Sequence, residues 1–159
     1  MPEYTVELAD PDTREARQLL ASLSATLEQL TGSSGTASFD ASDVTVARSC
    51  FAIARDSNGD ALACGALRPL DQDTAELKRM FALPGTQGAG QAVLAFLEQQ
   101  ASAFGYTRLW LETRRVNLRA IAFYQRNGYV TIDNYGRYVD RPEAICLGKN
   151  SWTGHVDDI

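Results

Sequence analysis

GTQGAGQA, residues 85–92, carries glycines at 85, 88 and 90, alanines at 89 and 92, and no charge. Upstream, TAELKRMFAL (74–83) reads as a strand closed by Pro84. Downstream, QAVLAFLEQQASAFG (91–105) sets apolar residues at 93, 94, 96, 97 and 101, a helical spacing that ends at Gly105. The glycine stretch therefore joins a strand to a helix, and its amides are the unpaired donors of a helix N-terminus. Such an end carries about half a positive charge and accepts phosphate when nothing bulky intervenes.

Three readings of this loop compete. A Walker A loop needs Lys and Ser or Thr directly after the last glycine, where Gln91 and Ala92 stand, so that reading fails. The dinucleotide fingerprint GxGxxG takes Gly88 and Gly90 but puts Val93 at the third small position, and it ordinarily follows the first strand of a chain. The third is a glycine turn with no ligand. Gly88 and Gly90 do not decide among them alone.

Outward from the loop, the pattern alternates. YTVELA (4–9) reads as a strand, and DPDTREARQLLASLSATLEQLTG (10–32) as a long amphipathic helix opened by Asp12 or Thr13 and stopped by Gly32. SSGTASFDASD (33–43) is a polar loop or short helix. SCFAIARD and DALACGALRPL are apolar strands joined through SNGD, whose Asn58-Gly59 signals a hairpin. After the glycine loop and its helix come the strand TRLWLET (107–113), the helix NLRAIAFYQRNG (117–128) stopped by Gly128, and the strands YVTID and EAICLGK. This order predicts an α/β (α+β) fold with a sheet of mixed direction. No repeat or interdomain linker is evident, and 159 residues suit one domain, spanning 1–159.

Composition excludes more than it assigns. A hydrophobic share of 45% with 22% charged residues is ordinary for a globular protein. The net charge of −5 and scattered basic residues make a poor footprint for nucleic acid. Cys50, Cys64 and Cys146 form no CxxC pair and His155 is the only histidine, so ligands for a metal or a Cys/His nucleophile pair are lacking. The cysteines sit in apolar stretches as buried reduced thiols. MPEYTVELAD lacks the features of a leader, and no apolar run approaches a membrane span. A reducing cytoplasm is the expected compartment.

Two coupled motifs then resolve the glycine loop. QGAGQA (87–92) fits Q/R-x-x-G-x-G/A through Gln87, Gly90 and Ala92, and NLRAIAFYQRNGY (117–129) fits N-x-x-A-x-x-x-Y followed by G-[FY] through Asn117, Ala120, Tyr124, Gly128 and Tyr129. In their strand and helix context, over residues 50–149, these resemble motifs A and B of the GNAT family of acetyl-CoA-dependent N-acetyltransferases.

The resemblance implies a central twisted sheet, largely antiparallel, of about six to seven strands flanked by helices and splayed between the fourth and fifth. It implies acetyl-CoA as cosubstrate with no metal, an amine acceptor, no nucleic-acid or membrane partner, and, as is common in the family, a homodimer. Amides from Gln87 through Gly88, Ala89, Gly90 and Gln91 to Ala92 would cradle the pyrophosphate. The backbone of Met80 and Ala82 would pair with pantetheine, Asn117 would touch that arm, and Tyr124 would aim its hydroxyl at the sulfur. Gln87 departs from the commoner arginine and removes one cation from the phosphate site.

The chemistry asks for the same roles. An alkyl ammonium with a pKa of about 10.4 is neutral in roughly one molecule per 2,500 at pH 7, a cost of about 4.6 kcal/mol. Glu76 is the candidate base, placed by strict alternation on the same face as Met80. Its rival role is a strand carboxylate paired with Lys78, and Glu112 on the neighbouring strand is the spare base. Tyr124 can protonate the leaving thiolate, though its face, shared with Ala120, Ile121 and Gly128, also suits a core aromatic. In DNYGRYVDRPE (133–143), Tyr135 and Tyr138 are candidate walls of the acceptor pocket, and Asp133, Asp140 or Glu143 candidate partners for an ammonium; a plain surface turn is the competing reading. With no cysteine at an acyl-enzyme position, transfer is expected to be direct, through a ternary complex. The alternatives are a catalytically silent domain that senses acetyl-CoA and a nucleotide-binding protein using the same loop.

Overall fold

The structure, a computed structural model, describes residues 3–34 and 41–150. His155 and most of the polar stretch after the first helix lie outside the described residues; at 41–44 that stretch forms a short 3-10 turn.

Strands β1 (Thr5–Leu8), β2 (Cys50–Arg55), β3 (Ala61–Pro69), β4 (Thr74–Ala82), β5 (Arg108–Arg114), β6 (Val130–Ile132) and β7 (Ala144–Asn150) form one sheet in the order β1-β2-β3-β4-β5-β7-β6. All neighbours are antiparallel except β4 and β5. The helices are α1 (Arg14–Thr31), α2 (Ala89–Phe104) and α3 (Leu118–Arg126).

Local chemistry sets these boundaries. Thr13, not Asp12, caps α1: its hydroxyl accepts the Ala16 amide at 3.3 Å, while Gly32, at φ 80°, closes the other end. In the β2–β3 hairpin, Asp56 organises the turn by accepting the amides of Asn58 and Asp60, so Asn58 and Gly59 are not the central pair of a two-residue loop.

The sheet buries both faces, and strand alternation sorts them. Ala75, Leu77, Leu109, Leu111 and Leu147 pack with Val93, Leu94 and Leu97 of α2, joined by Ala120, Ile121 and Tyr124 of α3. Phe51, Ile53, Cys64 and Ala66 pack on the other face against Ala16 and Leu19 of α1. Beyond β5 the segment between β6 and β7 covers that same second face, with Tyr135 and Tyr138 over Ala144 and Cys146.

Two irregularities shape the centre. Pairing between β4 and β5 runs only from Thr74–Arg108 to Glu76–Trp110, although β4 continues to Ala82 and β5 to Arg114. The expected splay between the fourth and fifth strands is therefore present. The second is a bulge in β4: Ala66 pairs with Lys78 and Cys64 with Phe81, so Arg79 and Met80 together oppose Gly65. Arg79 takes φ 54° there. The bulge shifts parity, and this corrects the alternation argument. Glu76 and Lys78 face α1, whereas Met80 turns to the α2 face, where its sulfur would crowd a Cβ on Gly65.

Candidate active site

The splay opens a cleft through the sheet with about 270 Å³ of solvent space, walled by β4 from Glu76 to Met80 and by β5 from Leu111 to Arg114. On the α2 face it meets Met80, Asn117, Ala120 and Tyr124; on the α1 face it meets Glu76, Lys78, Glu112 and Tyr138, with Leu23 and Leu27 of α1 above them. Two ligands entering from opposite faces would meet in this gap.

At the end of β4, Gly85 and Gly88 take φ 84° and 86°, a conformation costly for any residue with a Cβ. Gly88 is the N-cap of α2, which has no side-chain cap and no acidic residue in its first turn, whereas Thr13 and Asn117 cap α1 and α3. The amides of Gln87, Gly88, Ala89, Gly90 and Gln91 have no acceptor among the described residues. Ala92 drops out of the expected cradle, because its amide bonds the Gly88 carbonyl at 3.0 Å. A Cβ on Gly90 would meet nothing closer than Ala82 at 3.7 Å, so the protein's own packing does not demand glycine there. Open amides, an uncompensated helix end and an unrequired glycine together fit a phosphate group.

The loop is held from beneath by a residue that sequence reasoning missed: the Tyr4 hydroxyl donates to the Gln87 carbonyl. Gln91 reaches Asn127 at 2.6 Å and ties α2 to the end of α3. Asn117 accepts the Ala120 amide through its side-chain oxygen, which leaves its amide group at the cleft.

Tyr124 is 7% exposed, lies edge-on to Phe123 and Tyr129, and its hydroxyl has no hydrogen-bond partner among the described residues. Burial raises its pKa above the ordinary phenol range, so it remains a proton carrier throughout the usable pH range.

The two carboxylates differ sharply. Glu76, 3% exposed, accepts the Tyr135 hydroxyl at 2.6 Å on Oε2 and faces Arg68 at 3.6 Å and Lys78 at 3.8 Å with Oε1. Its lone pairs are engaged. Glu112 has no hydrogen bond or ion pair among the described residues and lines the cleft half-buried, and desolvation raises its pKa, opposed by Arg114 and Lys78. Lys78 donates to the Tyr138 hydroxyl at 3.3 Å, and burial lowers its pKa against the pull of Glu76.

Tyr138 lines the cleft, whereas Tyr135 lies behind it, tilted against Trp110 with ring centroids 5.0 Å apart, and donates to Glu76. Of the three acidic residues expected near an ammonium, Glu143 reaches the cleft, and Asp133 and Asp140 are exposed elsewhere. Arg114, Arg137 and Arg141, which no motif had singled out, line it instead.

Residues 16–129 match the model of the acetyltransferase (GNAT) family. The chain belongs to that family. Its members transfer acyl groups from coenzyme A, and the protein is an acyltransferase of that kind. It is 28% identical over 152 residues to the IAA acetyltransferase of Azospirillum brasilense, covering 94% of this chain and 99% of that one. A Klebsiella pneumoniae structure assigned provisionally to the acyl-CoA N-acyltransferases superimposes with a TM-score of 0.78 at 29% identity, covering 92% of this chain and 97% of the other. A GNAT acetyltransferase from Elizabethkingia anophelis with acetyl-CoA bound matches at TM-score 0.68 and 20% identity, over 92% and 97% of the two chains, a likeness of fold. No described helix is long and apolar enough to cross a membrane, and among the described residues no three His, Cys, Asp or Glu side chains cluster as a metal site.

Proposed function

We propose that this GNAT protein transfers the acetyl group of acetyl-CoA directly to a primary amine of a small molecule or peptide, within a ternary complex. The observation that carries this reading is the cleft through the sheet, with Tyr124 on one face and Glu112 on the other. When bound, the coenzyme supplies a thioester activated toward amines.

The open amides from Gln87 to Gln91 hold the pyrophosphate. The edge of β4 beyond Glu76, unpaired toward β5, offers the backbone of Met80 and Ala82 to the pantetheine arm, and the side-chain amide of Asn117 reaches it from α3. Glu112 takes the proton from the acceptor ammonium, directly or through water; a desolvated carboxylate with no hydrogen bond or ion pair among the described residues suits that task better than Glu76. Glu76 is a positioning residue that fixes Lys78, Arg68 and Tyr135 beside the cleft. The Tyr124 hydroxyl protonates the departing thiolate. Direct transfer is favoured because all three thiols are buried and burial pushes Cys50 and Cys146 up to about 11, which leaves little thiolate for a covalent route.

Calorimetric titration with acetyl-CoA, beside ATP and NAD, tests the coenzyme assignment, and thiol release with a panel of amines, polyamines, amino acids and peptides tests the transfer. Binding of ATP or NAD in preference to acetyl-CoA would overturn the reading. Acetyl-CoA binding without thiol release on any amine would leave a sensor domain in its place.

A further inference from the structure

The acceptor half of the cleft is more basic than the protein around it. The cleft is lined by the cations Lys78, Arg79, Arg114, Arg137 and Arg141 against the carboxylates Glu76, Glu112 and Glu143, in a chain whose net charge is −5. Much of this charge is already matched. Glu76 is balanced by Lys78 and Arg68, and Glu143 lies 3.9 Å from Arg141, both largely exposed. Arg79 is turned into α1, where it donates to the Leu20 carbonyl and the Ser24 hydroxyl. Arg114 differs. It has no ion pair or hydrogen bond among the described residues, and it stands two residues beyond Glu112 on the same face of β5. Arg137 and Arg141 reach the cleft from the covering segment above, while Asp133 and Asp140 of that segment are exposed away from it. Of the segment's charges, two cations and one carboxylate, Glu143, therefore line the cleft, and its two aspartates do not.

We propose, resting on the transfer reading above, that the acceptor carries a carboxylate or similar acidic group close to its amine, with Arg114 as the specificity-determining residue and Arg137 and Arg141 at the mouth. Two residues along a strand span about 6.8 Å. An amine held at Glu112 therefore leaves an acid group one to a few carbons away within reach of the Arg114 guanidinium, whose planar fork matches a carboxylate. The coenzyme's pyrophosphate does not account for these arginines, because the open amides lie at the start of α2 and the arginines line the opposite face of the sheet. A concave site with an excess of cations in a protein of net negative charge concentrates anionic groups.

The test uses two conjugates of coenzyme A that fill both halves of the cleft and need no knowledge of the natural acceptor. In one the sulfur is joined through –CH2–C(O)–NH– to glycine; in the other glycinamide replaces glycine, so the pair differs only in the terminal carboxylate. Calorimetry on the full chain is expected to show the acid binding about tenfold or more tighter than the amide. Arg114→Gln is expected to bring the two within about threefold of each other while leaving affinity for plain coenzyme A as in the parent. Arg141→Gln, at a more exposed position, gives a second reading should Arg114→Gln fold poorly, and is expected to reduce the preference in the same direction. Equal binding of the two conjugates by the parent, or a preference untouched in both variants, overturns the inference while the transfer reading stands. Failure of coenzyme A itself to bind overturns the transfer reading, and the inference with it.

Discussion

Replacing Glu112 and Glu76 one at a time by glutamine separates the base from the scaffold. Glu112→Gln removes a desolvated charge that makes no hydrogen bond or ion pair among the described residues, and only the longer-range pull of Arg114 and Lys78 is lost. Its effect on stability follows from the sign of the shift. A carboxyl whose pKa is raised by folding contributes stability that is complete below its unfolded pKa and lost as pH rises through the folded value. At neutral pH the ionised Glu112 is therefore a cost to the fold. The glutamine variant melts at or above the parent there, and the two converge in acid. Glu76→Gln instead strands Lys78, 8% exposed, whose one ion pair among the described residues is with Glu76, and disturbs the bond to Tyr135. Breaking a buried pair costs about 3–5 kcal/mol. Here the contacts are long, 3.6 and 3.8 Å, and Arg68 keeps Asp43 at 3.8 Å, so about 2–3 kcal/mol is expected, or roughly 5–10 °C in melting temperature.

Catalysis is expected to run the other way. Loss of a general base costs about 10²- to 10⁴-fold in kcat/KM. Because that base removes the ammonium proton, raising the pH substitutes for it: the neutral fraction of an amine of pKa about 10.4 grows about tenfold per pH unit from neutrality. Steady-state thiol release should show Glu112→Gln deficient at pH 7 and recovering toward pH 10, with acetyl-CoA affinity unchanged by calorimetry. If Glu112→Gln keeps kcat/KM within about threefold of the parent at pH 7, or its deficit is constant with pH, the base assignment is wrong. If Glu76→Gln melts like the parent yet loses rate in a pH-dependent way, Glu76 is the base.

Tyr124→Phe is expected to lower kcat about 10²-fold or more with little change in acetyl-CoA affinity, read by single-turnover thiol release; an unchanged rate assigns Tyr124 to packing alone. At residue 90, alanine has ordinary contacts within the protein and should fold as the parent does while binding acetyl-CoA more weakly, whereas Gly90→Trp should abolish acetyl-CoA binding in calorimetry while a circular-dichroism melt shows the fold retained. Gly65→Ala puts a Cβ into the Met80 sulfur and within 2.9 Å of both Leu97 and Val93, and should cost about 1–3 kcal/mol in a denaturant melt; a variant as stable as the parent would show that the bulge gives way freely.

The fold was legible in the sequence to an unusual degree because its signals are local. Thr13 and Gly32 bound one helix, Gly88 and Gly105 another, and alternation marks the strands. The glycine loop was legible for the same reason: its requirement for positive φ and open amides is written in the residues themselves. What stayed hidden depends on sums over many residues. Tyr4 beneath the loop lies 83 residues from Gln87, and no periodicity connects them. That Arg137 and Arg141 of the covering segment line the cleft while Asp133 and Asp140 do not is invisible in composition, since only the packing of Tyr138 and the path of the chain decide which side chains reach it.

The bulge at Arg79 is the most consequential of these hidden features. Strict alternation puts Glu76 and Met80 on one face, and a coenzyme and a base would then compete for the same side of the sheet. One extra residue in β4 opposite Gly65 reverses the parity, so β4 presents Glu76 and Lys78 to the α1 face and Met80 and Ala82 to the α2 face within a single strand. With pairing to β5 ended at Glu76, the same stretch is also the edge of the gap. Deleting Arg79 would remove the bulge and pair Met80 directly with Gly65; following Lys78, Met80 would stay on the α2 face, and Ala82 with it. That deletion should therefore lower stability through the lost contacts of Arg79 to Leu20 and Ser24 while acetyl-CoA affinity in calorimetry stays near the parent's; a lost affinity in a variant that still folds would show that the bend of the bulge, and not the facing of the side chains, shapes this strand edge.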